Sequence, residues 1–162
     1  MITARHSELI VLPLTEVYGV MACYYYDGFW RKTVQRSEQD TPGLAQSGRR
    51  LRQVIQLLGQ EMSIEAEVTA AALNRRVAYE SVGGPLALWD QRTFERIDKT
   101  TRVTFELSVD LKGWQRLMAP LLVHQLEQFV RAELLAAKTL LENTPNVLVD
   151  LSQRVLTSPS TF

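Results

Sequence analysis

A chain of 162 residues, 46% of them hydrophobic, is long enough for one domain with its own core, so it needs neither disulfide nor metal to hold together. Eighteen basic and eighteen acidic side chains cancel, which removes the global field that gathers nucleic acid or an anionic surface. A lone cysteine, Cys23, excludes an intrachain disulfide, and the apolar run Leu9 to Leu14 is too short for a signal core or a membrane span. The composition implies a soluble protein of a reducing, cytoplasm-like compartment, without integral membrane association and without a nucleic-acid partner.

In chain order, His6 to Leu12 reads as a first strand stopped by Pro13, which cannot donate to a ladder. Thr15 then stands at a helix N-cap with Glu16 in the first turn, and Val17, Val20, Met21 and Tyr24 follow at helical spacing. Asp27-Gly28 closes that helix with turn chemistry, and Phe29-Trp30 resumes the packing. Tyr18, Tyr24, Tyr25, Tyr26, Phe29 and Trp30 make this third aromatic, and core packing accounts for most of them.

Lys32 to Glu38 reads as an edge strand with Asp40-Thr41-Pro42-Gly43 as its loop. Gly48 to Leu58 and Gln60 to Ala71 form a hairpin hinged at Gly59. In its second arm Met62, Ile64, Ala66 and Val68 alternate with Ser63, Glu65, Glu67 and Thr69, a two-residue period with one wet face. Arg75 to Val82 gives another strand, broken by Gly83-Gly84-Pro85, and Leu86 to Ile97 with Thr101 to Leu111 makes a further hairpin around Asp98-Lys99-Thr100. Short turns between consecutive strands predict an antiparallel meander.

After Lys112 the period changes. Leu122, Leu126, Phe129, Val130, Leu134, Ala137, Leu140 and Leu141 recur at helix spacing. Gly113 to Ala119 forms a short first helix, which places Pro120 in the first turn of a long one running to Asn143. Residues 144–162 form a tail in which Val147 to Leu156 contains a short docking helix and Ser158-Pro159-Ser160-Thr161 a mobile end. The predicted fold is α+β, a curved antiparallel sheet of six to seven strands wrapped around one long C-terminal helix over residues 1–143.

The order of these pieces resembles the START-like helix-grip superfamily (SRPBCC, Bet v 1-like), especially its polyketide cyclase/dehydrase-like members. Ile10-Val11-Leu12-Pro13 through Glu16-Val17-Tyr18 is similar to that family's strand, proline and helix opening, and Trp30 stands where its tryptophan precedes the second strand. Gly48-Arg49-Arg50-Leu51 with Glu65-Ala66-Glu67-Val68-Thr69 resembles its hairpin, and Thr101 to Phe105, Asp110 to Trp114, Pro120-Leu121, Glu133-Leu134 and Leu141-Glu142 follow its closing strand and helix. The chain departs from the pattern at Lys99-Thr100-Thr101, where relatives usually carry glycine. The resemblance implies a hydrophobic cavity between sheet and helix, without fixing one chemistry.

A void under such a sheet would be lined by Leu51, Ile64, Val77, Tyr79, Phe94, Phe105, Leu122, Leu126, Phe129 and Val130, with Trp30 and Tyr79 touching the ligand. Glu133 falls inside the apolar stripe of the long helix, where a carboxylate is costly unless paired, protonated or wetted. It is either a polar anchor of the pocket or bonded to an inward arginine or backbone amide. Asp90 and Arg92 share strand parity with Phe94, so they face inward with it or outward together.

Neither His6 nor His124 belongs to a ligand cluster, so no metal and no cofactor is expected. The absence of Gly-x-Ser-x-Gly and of a phosphate loop disfavours a triad hydrolase and a nucleotide enzyme. The leading function is binding or carriage of a small hydrophobic molecule of lipid, polyketide or quinone type. The alternatives are a cyclase or dehydratase using Glu133 with Asp90 or a tyrosine as acid and base, and a protein-interaction module. Oligomeric state stays open, a homodimer included.

Overall fold

The computed structural model describes residues 1–157. Seven strands form one antiparallel sheet: β1 (Ile2–Ile10), β2 (Val34–Gln39), β3 (Arg50–Leu57), β4 (Gln60–Ala72), β5 (Arg76–Gly83), β6 (Ala87–Ile97) and β7 (Thr100–Asp110). Their spatial order is β1-β7-β6-β5-β4-β3-β2, a meander whose first strand returns to pair with its last. Helices α1 (Leu14–Met21) and α2 (Asp27–Trp30) separate β1 from β2, and a 3-10 turn, Tyr24–Tyr26, lies between them. A second 3-10 segment, Gly113–Met118, leads into the long α3 (Ala119–Asn143), and α4 (Val147–Thr157) follows.

The hairpins close where the sequence supplies the backbone freedom. Between β3 and β4 the two loop residues, Leu58 and Gly59, have φ of +52° and +77°. Positive φ at both centres is the turn whose twist matches the strands it joins. Register shifts at Val34/Arg36, Glu65/Ala66 and Val68/Ala70 bend the sheet, and the curled sheet half-encloses the face that carries the core. Leu51, Ile55 and Leu57 of β3, Ile64, Ala66 and Val68 of β4, and Val103, Phe105, Leu107 and Val109 of β7 all point into that face.

Helix α3 is 25 residues long, roughly 37 Å at 1.5 Å per residue. It buries Leu126, Val130, Glu133, Leu134, Ala137 and Leu141 and lies chiefly against β1. Near its end Lys138 Nζ donates to the Leu9 carbonyl and Glu142 Oε1 accepts from Val11 N at 2.9 Å. These bonds cover the β1 edge, which would otherwise stay open to pairing. Pro120 sits in the first turn, as its fixed φ and missing N–H require.

Three local expectations change. Helix α1 begins at Leu14 with Pro13 at the N-cap and no side-chain cap, so Thr15 lies inside it. Its last residue is Met21, and Asp27-Gly28 opens α2 instead of closing α1. The cause is tertiary, because two arginines take the Asp27 side chain that an isolated turn would use locally. Helix α4 packs on α1, with Val147 and Leu151 buried and Leu148 against Gly19. The expected mobile end at Ser158–Thr161 lies outside the described residues.

Candidate functional site

The inward row of β6 is Leu88, Asp90, Arg92 and Phe94, while Trp89 is exposed and Gln91 and Thr93 are half-buried. This register carries both charges to the middle of the enclosed face. Arg31, just past α2, enters from above, and Glu133 arrives from the middle of α3. Asp27, Arg31, Asp90, Arg92 and Glu133 are each no more than 3% exposed, so five ionisable groups share one buried volume.

Their contacts form a continuous network. The Arg92 guanidinium grips Asp27 in a fork, Nη1 to Oδ1 at 2.8 Å and Nη2 to Oδ2 at 2.6 Å, the strongest geometry available to this pair. Arg92 Nη1 also donates to the Met21 carbonyl at 2.8 Å, which ties β6 to the end of α1. Arg31 Nε donates to Glu133 Oε2 at 2.7 Å, and its Nη1 reaches Asp90 Oδ2 at 3.2 Å and Asp27 Oδ2 at 3.3 Å. The other Glu133 oxygen accepts from Thr33 Oγ1 at 2.6 Å and Thr33 N at 3.3 Å.

Gln53 extends the network across the sheet. Its Nε2 donates to Asp27 Oδ2 and to Ser37 Oγ, both at 2.9 Å, and its Oε1 accepts from Tyr79 OH at 3.1 Å. Aromatic faces enclose the cations: the Arg92 guanidinium carbon lies 4.7 Å from the Tyr24 ring centre and 5.0 Å from that of Trp30.

The charges do not balance. Two guanidiniums face three carboxylates, and Asp90 is the least compensated. Its Oδ1 lies 3.2 Å from Arg92 Nε but off the angle for a hydrogen bond, so neither atom is satisfied. Burial raises the Asp90 pKa, with Arg92 and Arg31 opposing. Burial works against the Arg31 charge, but Glu133 and its neighbours outweigh it and hold the pKa above the ordinary arginine value. Burial, reinforced by Asp90, raises both Tyr24 and Tyr79. Because arginines separate the carboxylates, no group able to hold a metal stands among the described residues.

The structure thus brings Tyr79, Arg92, Asp90, Glu133, Trp30 and Phe105 together, and it joins them to Asp27, Arg31 and Gln53, which sequence reasoning missed. Gln53 was legible, since it shares parity with Leu51, Ile55 and Leu57. Arg31 gave no periodic signal, and Asp27 was hidden by its turn dipeptide. Ile64, Val77, Phe94, Leu126 and Val130 are buried core residues around the network. Leu51 floors a charged surface groove of about 310 Å³ with Glu38, Asp40, Arg50, Arg52 and Glu65.

Free space lies at the mouth of the grip. A cleft of about 120 Å³ is lined by Leu57, Leu58, Gln60, Met62, Pro85, Leu86, Lys112, Trp114, Gln115 and Leu122. It gathers the β3–β4 turn, the β5–β6 turn, and the segment entering α3. Leu122 is the predicted lining residue that reaches it, and Phe129 is half-buried about two turns further along the helix. A wider groove of about 460 Å³ runs outside, between Phe29, Trp30, Lys32 and the Ala132–Leu140 face of α3.

No family model and no curated protein sequence matches the chain. Solved structures do. The protein TTHA0849 of Thermus thermophilus superposes with a TM-score of 0.73 at 18% identity, over 93% of this chain and 99% of that one. The Zhui aromatase/cyclase of Streptomyces sp. R1128 gives 0.65 at 15% identity, over 94% of each chain. A START superfamily protein of Mycobacterium smegmatis gives 0.62 at 13% identity, over 80% of this chain and 92% of that one. The shared property is the fold, a curled antiparallel sheet gripping a long C-terminal helix.

Proposed function

We propose that this helix-grip chain binds a small apolar molecule at the mouth of the grip, holding a ring or chain end against Leu57, Leu58, Met62, Leu86 and Leu122. The observation that carries the reading is the apolar cleft at the open end of a fold whose deep end is sealed by its own charges. A volume of about 120 Å³ is close to the ~150 Å³ apolar cavity that accommodates a benzene ring. Gln60, Lys112 and Gln115 stand on the rim, where they would meet a polar group on the same molecule. Trp114 stands exposed at the entrance.

This reading assigns Glu133 and Asp90 to architecture. Both Glu133 oxygens are taken by Arg31 and Thr33, so proton transfer there would require breaking the network first. The cyclase-type and partner-docking alternatives have no such site-specific support.

The test is titration with a naphthylamine-type fluorescent probe. The wild type is expected to bind it saturably and one to one. Leu122→Arg and Met62→Arg, each placing a charge on the apolar wall, weaken binding by about tenfold or more. Saturable binding indifferent to both substitutions would place the ligand elsewhere.

A further inference from the structure

The cleft does not account for the outer side of its own rim. Trp114, Leu117, Met118 and Leu121 are 72%, 84%, 40% and 50% exposed, four large apolar side chains within eight residues. Scattered apolar exposure is ordinary, but a contiguous cluster of this kind marks a contact surface. The segment also has a one-sided charge. From Leu111 to Leu126 it contains Lys112 and Arg116 and no acidic residue, with the exposed Glu127 next in the chain. The adjacent Asp110 lies 3.7 Å from the N-terminal ammonium. Arg116 Nε donates to the Leu111 carbonyl at 2.9 Å, which holds one edge of the guanidinium while the residue stays exposed.

We propose that this rim rests on an anionic lipid surface, with Trp114, Leu117, Met118 and Leu121 in the headgroup layer and Lys112 and Arg116 against the negative headgroups. Tryptophan favours that layer because its ring is apolar and its N–H polar. A short apolar segment with a basic border lies in the interface without crossing it, and no described helix is long and apolar enough to span a membrane. Two cations, Lys112 and Arg116, beside four exposed apolar side chains complement a layer of negative headgroups, which favours lipid over a protein partner. The inference rests on the mouth cleft as ligand site and adds where the ligand comes from. Trp114 and Lys112 belong to both surfaces, so a molecule leaving the bilayer would enter the cleft without crossing water.

The experiment is co-sedimentation of the full chain with vesicles of phosphatidylcholine alone and of phosphatidylcholine with phosphatidylglycerol, read together with tryptophan emission. The expected result is binding to the anionic vesicles that declines with added salt. A blue shift should accompany it and disappear in Trp114→Phe. Leu117→Asp, at a site too exposed to disturb folding, should lower the partition about tenfold, and Lys112→Glu should erase the preference for anionic lipid. No binding by the wild type, or binding indifferent to Leu117→Asp, overturns the proposal. So does concentration-dependent self-association that Leu117→Asp abolishes without any vesicle binding. Probe titration on the same samples separates the two readings. Probe binding without vesicle binding removes the docking surface alone, and vesicle binding without probe binding removes the ligand reading alone.

Discussion

Replacing Asp27 or Asp90 by asparagine removes one negative charge from the same network, yet the geometry predicts unequal outcomes. Every Asp27 oxygen accepts a donor: Oδ1 takes Arg92 Nη1, and Oδ2 takes Arg92 Nη2, Arg31 Nη1 and Gln53 Nε2. An amide in either flip turns its NH2 toward one of those donors and leaves Arg92 buried with its fork broken. Breaking a buried pair this way costs about 3–5 kcal/mol, a fall in Tm of roughly 10 °C for a chain of this size. Asp90 accepts hydrogen bonds only at Oδ2, from Arg31 at 3.2 Å and Arg92 at 3.3 Å, and an amide oxygen serves there, although its NH2 would then stand where Oδ1 lies 3.2 Å from Arg92 Nε. Since Asp90→Asn also removes the excess negative charge, its cost should stay well below that of Asp27→Asn, at about 1–2 kcal/mol.

The pH dependence sharpens the contrast. Asp90 binds its proton more tightly folded than unfolded, so between the two pKa values the native state holds more protons. Unfolding free energy therefore declines as pH rises through that window, and the full cost of the buried charge is in place above the folded pKa. Asp90→Asn should flatten this slope. Urea unfolding at several pH values, followed by circular dichroism, measures both effects. Equal destabilisation by the two substitutions, or an unchanged slope in Asp90→Asn, would refute the charge bookkeeping.

Three further outcomes follow from packing. Gly84 has φ of +120°, and a Cβ there would come within 2.8 Å of the Ser63 carbonyl oxygen, so Gly84→Ala should cost about 1–3 kcal/mol; an unchanged melting temperature would contradict this. Burial pushes the Cys23 thiol up to about 11, which leaves roughly a thousandth of it as thiolate at pH 8, so disulfide reagents should label it only as the chain unfolds. Rapid labelling in native buffer would show the thiol to be open. Leu151 is fully buried, and Leu151→Ala should cost about 2–4 kcal/mol if α4 unfolds with the rest; an unmoved urea midpoint would make α4 an appendage.

Periodicity made the architecture legible. The two-residue alternation of Ile64, Ala66 and Val68 and of Val103, Phe105, Leu107 and Val109 fixes which face is inward, and the stripe from Leu126 to Leu141 fixes α3. The alternation could not fix β6, where charges and apolar residues occupy both parities until its partners choose. Once Val77 pairs with Arg92 and Phe105 with Arg92, the inward row is forced. The site was half legible for the same reason. Glu133 stood out because it interrupts a stripe, whereas its partner Arg31 lies in an irregular connection with no period to interrupt. Pairing across 102 residues is a property of the assembled fold.

The network explains why the free volume lies at the mouth. A curved sheet and a single helix enclose more space than aliphatic side chains fill, and this chain fills its deep half with Arg31, Arg92 and the rings of Tyr24, Tyr79 and Phe105. Well-packed apolar residues of similar volume often match or exceed a buried ion cluster in stability, so stability alone does not account for it. What charge supplies is position. Arg31 is bonded at once to α2, β6 and α3, and Arg92 to the end of α1 and to α2, so the helices are fixed to the sheet at specified atoms. An apolar ligand would gain nothing by displacing them, since every bond it broke would leave a buried charge unpaired. On the proposed reading, the network would therefore set how deep a molecule can enter, and its selection would fall to the residues of the mouth.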